Sequence, residues 1–171
     1  MTPIPAWIDD RLTPVDKLEV HRRGLRHPAI SVFVIDGDRT LLQRRALGKY
    51  HTPGLWANAC CTHPHWGEPP AACAVRRLRE ELGITGVRLR EGPEIEYRAA
   101  VGDGLTEHEC VTVFTVHGRP TVEPNPAEVM ATQWIRLSHL QDEIAQTPDR
   151  FTPWLKIYLR DHALDIFGAA A

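Results

Sequence analysis

The chain holds 171 residues, 43% hydrophobic and 25% charged, with 20 basic residues against 22 acidic ones and a formal net charge of −2. A chain of this size buries about 70% of its unfolded surface and needs no disulfide or partner merely to fold. The balanced charge excludes a dedicated nucleic-acid or membrane-surface binder but leaves small anionic ligands open.

The opening MTPIPAWIDD has neither the basic start nor the apolar stretch of a signal peptide. Nothing approaches the roughly 20 apolar residues of a membrane span, so a cytoplasmic protein, monomeric or weakly homodimeric, is expected. Cys60, Cys61, Cys73 and Cys110 are too sparse for a disulfide scaffold and lack CxxC pairing, so they read as free thiols. With no internal repeat and no linker, residues 1–171 read as a single domain, 1–27 being an N-terminal extension and 151–171 a C-terminal helix.

In chain order, Ala29–Ile35, the Asp36-Gly37-Asp38 turn and Thr40–Arg44 predict a β-hairpin. The stretch LWANACCTHPHW, after Pro53-Gly54, reads as irregular. From Pro69-Pro70 to Gly83 the pattern is helical, with Ala71, Val75, Leu78 and Leu82 on one apolar face. Arg76, Arg77, Glu80 and Glu81 are therefore expected to face away from the core. Strands are expected at Val87–Leu89, Glu94–Ala99 and Glu109–Val116, then a Pro/Asn-rich loop, a strand at Trp134 and a terminal helix from Pro153. This order implies an α/β (α+β) fold, a mixed-sheet sandwich with flanking helices.

Thr62, Glu68, Arg76, Arg77, Leu78, Glu80, Glu81, Gly83 and Ile84 stand at the register of the Nudix box, a loop-helix that presents carboxylates to magnesium on a diphosphate. Thr62 replaces its glycine and Arg77 its first clustered glutamate. A cation there removes a magnesium ligand and supplies a phosphate clamp, so the scaffold is Nudix-like with its hydrolytic machinery broken. Cys61 and His63, two residues apart, point to one face of an extended backbone, as do Glu107 and Glu109. His21 and His27 are available to join His63, Glu107 and Glu109. Three imidazoles and two carboxylates suit an octahedral divalent ion: magnesium, manganese or zinc. Taken singly, each residue has a plainer reading as a core or surface side chain; their joint occurrence gives them weight.

The segments RRALGK (44–49), PGLWANACCTHP (53–64), RRLREELG (76–83), EYRA (96–99), EHEC (107–110) and TPW (152–154) together resemble the type I isopentenyl-diphosphate delta-isomerase family. The resemblance runs from about Lys17 to Trp154. It implies a Nudix-like fold that interconverts isopentenyl and dimethylallyl diphosphate without flavin, with Cys61 and Glu109 as the catalytic pair and Tyr97 and Trp154 beside them. It puts Lys17, Arg45, Lys49 and Arg77 on the diphosphate, and His21, His27, His63, Glu107 and Glu109 around a first metal, Mn2+, Mg2+ or Zn2+. Glu81 would hold a Mg2+ shared with the diphosphate. His21 and His27 stand one residue closer than in the family pattern, and Cys60 precedes the catalytic thiol.

Moving a double bond by one carbon adds a proton at the terminal carbon and removes one from carbon 2, so two proton-transfer groups must flank the substrate. The expected partner is a small diphosphate, with no nucleic acid and no membrane. A Nudix diphosphate hydrolase is the alternative, kept open by Glu68, Glu80 and Glu81 and opposed by Arg77. A diphosphate-binding module without catalysis is the third possibility.

Overall fold

The structure, a computed structural model, describes residues 3–168. Strands β1 (Pro3–Ile8) and β2 (Arg11–Asp16) form an antiparallel pair of their own, turned by Asp9 and Asp10 in the left-handed region that aspartate tolerates. Asp16 then caps helix α1 (Lys17–Arg23), its carboxylate accepting from the Leu18 and Glu19 N–H groups at 3.1 Å each. Gly24, at φ 59°, ends that helix. The N-terminal extension is therefore a hairpin and a helix with a small core of Ile4, Ala6 and Val20.

Gly37 takes φ 59° in the expected turn, joining β3 (Arg26–Asp36) to β4 (Arg39–Arg45). The hairpin is only two pairs deep, Ile35–Thr40 and Asp36–Arg39. Beyond those the strands separate and recruit different partners. The stretch expected to be irregular supplies β5 (Trp56–Asn58), which pairs with β4, and β6 (Cys60–Thr62), which pairs with β3.

Helix α2 runs from Pro70 to Leu82, and Gly83 ends it at φ 65°. Its inward face keeps the expected Leu78 and Leu82 but not the expected Ala71 and Val75. Cys73, Ala74, Leu78, Glu81 and Leu82 are buried, Ala71 is exposed, and Val75 is 51% exposed. The small Cys73 and Ala74 let the helix lie close to the sheet, which turns Glu81 inward.

Strands β7 (Leu89–Gly102) and β8 (Leu105–His117) form a long antiparallel pair. The two strands expected before Glu109 are thus one, irregular between Glu91 and Glu94, where Pro93 has no N–H to contribute. The Pro/Asn-rich loop follows, then β9 (Val129–Arg136) against β4. Helix α3 (Leu137–Gln146) was not expected. The expected terminal helix is two: after a 3-10 turn at Pro148–Arg150 come α4 (Pro153–Asp161) and α5 (Ala163–Phe167).

The main sheet has seven strands, ordered β5-β4-β3-β8-β7, with β6 added to β3 and β9 to β4. Parallel pairing of β3 with β8 requires both faces of β3 to be covered, and its residues alternate accordingly. Ile30, Val32 and Val34 pack with Cys73, Leu78 and Leu82 of α2, while Ala29, Phe33 and Ile35 join the core containing Leu140 of α3 and Trp154, Leu155 and Tyr158 of α4. The result is a mixed α/β sandwich with helices on both sides of the sheet. No helix among the described residues is long and apolar enough to cross a membrane.

Candidate active site

Helix α1 places Lys17 and His21 one turn apart, and the His21 Nδ1 lies 2.6 Å from the Lys17 carbonyl. His27, near the start of β3, repeats the device with its Nδ1 2.7 Å from the Leu25 carbonyl. An Nδ1–H donating to a backbone carbonyl leaves the Nε2 lone pair for another partner. His63, just past β6, brings its ring centroid within 5.0 Å of His21 and 4.8 Å of His27. The parallel register sets His27 opposite Glu109 on β8.

Donor atoms of His21, His27, His63 and Glu109 lie within 4.8 Å of one another, and all four residues are buried. The His27 Nε2 has no hydrogen-bond partner and lies 3.7 Å from the Glu109 Oε1, while the His63 Nε2 is 2.9 Å from the same oxygen. Burial pushes His63 well below the ordinary imidazole range and His21 down to about 4, the latter against the pull of the Lys17 carbonyl. Buried imidazoles around a carboxylate, with orphaned nitrogens on His27 and His63, fit a divalent cation.

The fifth expected ligand is set slightly apart. Strand alternation puts Glu107 on the same buried face as Glu109, but its donor atoms group with His21 and His51. The His51 Nε2 lies 3.4 Å from the Glu107 Oε1. His51 was not among the expected residues: it lies on a loop, where no periodicity marks it.

Tyr97 stands opposite Glu109 in the β7–β8 register, its hydroxyl 2.9 Å from the Glu107 Oε2 and 2.7 Å from the Glu109 Oε2. A phenol has one proton, so the second contact requires a proton on a carboxyl. Burial, then the neighbouring Glu109, pushes Glu107 well above the carboxylate range. Burial works the same way on Glu109, but the His27 and His63 imidazoles outweigh it and hold that group well below. The two acids behave as a pair sharing a proton.

Cys61, Glu107, Glu109 and Trp154 line one cavity of about 30 Å³, together with Lys17, Arg45, Lys49, Arg77, Glu81 and His63. Burial, then Glu109 and Glu107, pushes the Cys61 thiol well up, so it holds its proton. All four cysteines are free, and Cys60 and Cys73 are buried. Trp154 enters in the first turn of α4, 1% exposed, with the Arg45 guanidinium 5.3 Å from its ring centroid.

Four cations around so small a space repel one another. Burial, then Lys49, Arg77 and Arg45, lowers Lys17 from 10.5 to about 8. Glu81, expected to face solvent, is 4% exposed and accepts from the Gln43 Nε2 at 2.7 Å and from Arg77. The other box acids are engaged: Arg76 donates to both oxygens of Glu68 at 2.7 and 2.8 Å, and Glu80 accepts from Arg76 at 3.1 Å and Arg77 at 2.8 Å. Glu128, on the loop before β9 and also not expected, contacts Lys49 and stands 3.4 Å from Arg77.

The NUDIX domain family matches residues 25–155. A protein of Cereibacter sphaeroides called isopentenyl-diphosphate Delta-isomerase is 60% identical over 167 residues, covering 96% of this chain and 94% of its own. One of the same name from Roseobacter denitrificans is 58% identical over 170 residues, covering 98% and 97%. Among solved structures, a Deinococcus radiodurans protein superposes with a TM-score of 0.75 at 15% identity over 94% of this chain and 98% of that one. A MutT NUDIX hydrolase from Burkholderia pseudomallei superposes at 0.60 and 23% identity over 80% and 98%. The structural neighbours share the fold, and the sequence relatives, matched nearly end to end, show that this chain belongs to the isopentenyl-diphosphate Delta-isomerase family within the Nudix superfamily.

Proposed function

We propose that this chain interconverts isopentenyl and dimethylallyl diphosphate. The observation that carries the proposal is that Cys61 and Glu109 line one slot beside four basic side chains, Lys17, Arg45, Lys49 and Arg77. Lys17, Arg45, Lys49 and Arg77 hold the diphosphate by charge-assisted hydrogen bonds, and that binding energy seats the apolar tail. One of Cys61 and Glu109 delivers a proton to carbon 4, where the electron pair of the C3=C4 bond forms the new C–H bond and leaves a tertiary cation at carbon 3. The other takes a proton from carbon 2, and the released pair closes the C2=C3 bond. The reverse reaction exchanges their roles.

Tyr97 positions the Glu109 carboxyl. The Trp154 ring, which lines the same slot, stabilises the cation by about 0.5–2 kcal/mol. His21, His27, His63 and Glu109, with Glu107 adjoining, would hold Mn2+, Mg2+ or Zn2+, and Glu81 a Mg2+ on the diphosphate. Bound there, the ions set the proton affinity of Glu109 and neutralise phosphate charge. Residues 1–171 act as one domain, a flavin-independent cytoplasmic enzyme, monomeric or weakly dimeric, with no nucleic-acid or membrane partner. Support for that setting comes from the free thiols and the balanced charge.

The test is to incubate the protein with isopentenyl diphosphate and magnesium while following dimethylallyl diphosphate by NMR and inorganic phosphate by colorimetry. Isomer without phosphate is expected; phosphate without isomer would make the protein a hydrolase. Arg77, a cation where the Nudix box has a carboxylate, disfavours that second outcome.

A further inference from the structure

Two of the four cations in the clamp already have an anion. The Glu128 Oε2 contacts the Lys49 Nζ and lies 3.4 Å from the Arg77 Nη2, with the three side chains 27%, 17% and 16% exposed. All three line a cavity of about 420 Å³ that also includes Lys17 and His63.

Main-chain bonds fix the position of this acid from both sides. The Asn125 N–H donates to the Glu81 carbonyl at 2.9 Å, tying the loop to α2, and the Ala46 N–H donates to the Glu128 carbonyl at 3.0 Å, tying it to the end of β4. Between them, the Glu128 N–H donates to the Asn125 carbonyl at 2.9 Å. The carboxylate is thus carried to the clamp by a stapled loop.

We propose that Glu128 is an intramolecular competitor for the diphosphate site, an acid that keeps Lys49 partnered, and touches an Arg77 already held by Glu80 and Glu81, until an anion displaces it. This rests on the clamp described above and goes beyond it. An anion reaching only Lys49 and Arg77 exchanges one carboxylate for one phosphate and gains little. An anion with two linked phosphates also reaches Lys17, in the same cavity, and Arg45, which shares the smaller slot with Lys17, Lys49 and Arg77. The span of four cations favours two phosphates, and Glu128 sets the affinity below which a single phosphate stays unbound.

Glu128→Gln keeps the size and the main-chain staples while removing the charge. Thermal unfolding and titration calorimetry with inorganic phosphate and inorganic diphosphate, in magnesium-free buffer at fixed ionic strength, read the effect. The variant is expected to melt about 2–4 °C lower without anion, to bind both anions about tenfold tighter, and to recover its melting temperature on adding phosphate. Unchanged affinities, or a lower melting temperature that phosphate does not restore, would make Glu128 a structural residue and overturn the proposal. In a repeat with magnesium added, diphosphate binding weaker than that of the wild type would place Glu128 on the metal instead and also overturn it. Should the Gln variant not fold, Glu128→Asp, which withdraws the carboxylate from Lys49, is expected to shift both affinities in the same direction by less. A wild-type protein that binds no diphosphate would remove the clamp itself. Unchanged affinities in a variant of a diphosphate-binding wild type would remove only the role of Glu128.

Discussion

Lys17 is the residue whose replacement should separate binding from stability. Burial and three neighbouring cations lower it from 10.5 to about 8. At about 1.36 kcal/mol per pH unit, that fall represents about 3 kcal/mol borne by the folded state. Below pH 8 Lys17 is protonated in both the folded and unfolded chains, and the folded chain bears the full penalty. As pH rises from 8 to 10.5 the folded chain releases its proton first, and the penalty fades. Lys17→Met keeps the stem and removes the charge, so it should stabilise the folded protein by about 2–3 kcal/mol at neutral pH and raise the melting temperature by about 4–10 °C. The gain should shrink toward zero by about pH 10.5. Inorganic diphosphate at a hundred times its Kd should add about 2.7 kcal/mol to the wild type and far less to the variant. Calorimetric unfolding at neutral and alkaline pH, with and without diphosphate, measures all of this. A variant that melts lower than the wild type at neutral pH, or a gain that persists undiminished at alkaline pH, would refute the crowded-cation account.

Tyr97→Phe removes the hydroxyl shared by Glu107 and Glu109, and should cost about 1–3 kcal/mol in denaturant unfolding while lowering kcat more than it raises KM. Chelation should lower the melting temperature and re-addition of a divalent ion restore it. His27→Ala should abolish that restoration, because the orphaned Nε2 is then gone. Gly83→Ala should destabilise by at least about 1–3 kcal/mol, since the residue sits at φ +65° and a Cβ there would lie 2.8 Å from the Glu123 carbonyl oxygen. Because that carbonyl belongs to the stapled loop, the same variant should also loosen Lys49 from Glu128, visible as tighter binding of inorganic phosphate.

What was legible in the sequence follows from what kind of signal each part carries. Helix α2 could be bounded because Pro69-Pro70 starts it and Gly83, at positive φ, ends it. Its buried face was legible only in Leu78 and Leu82, because Cys73 and Ala74 count weakly as apolar residues. The pairing of Glu107 with Glu109 was legible from the alternation of an extended chain. That His27 would stand opposite them was not, since parallel pairing of β3 with β8 joins segments about 80 residues apart through no local pattern. The N-terminal hairpin is short and proline-bearing, so it has little periodicity, and α3 follows β9 without a side-chain cap to announce it. His51 and Glu128 lie on loops, where only the folded backbone brings them to the site. Resemblance supplied residue roles that spacing alone left open, and the cavity lining brings most of those residues to one place.

The most direct measurement is deuterium exchange into isopentenyl diphosphate in heavy water by wild type, Cys61→Ala and Glu109→Gln, each folded and metal-loaded. Label should enter carbon 4 and carbon 2 with the wild type and be lost with either variant. Exchange by Cys61→Ala at the wild-type rate would contradict the placement of a thiol and an acid on either side of the reacting carbons.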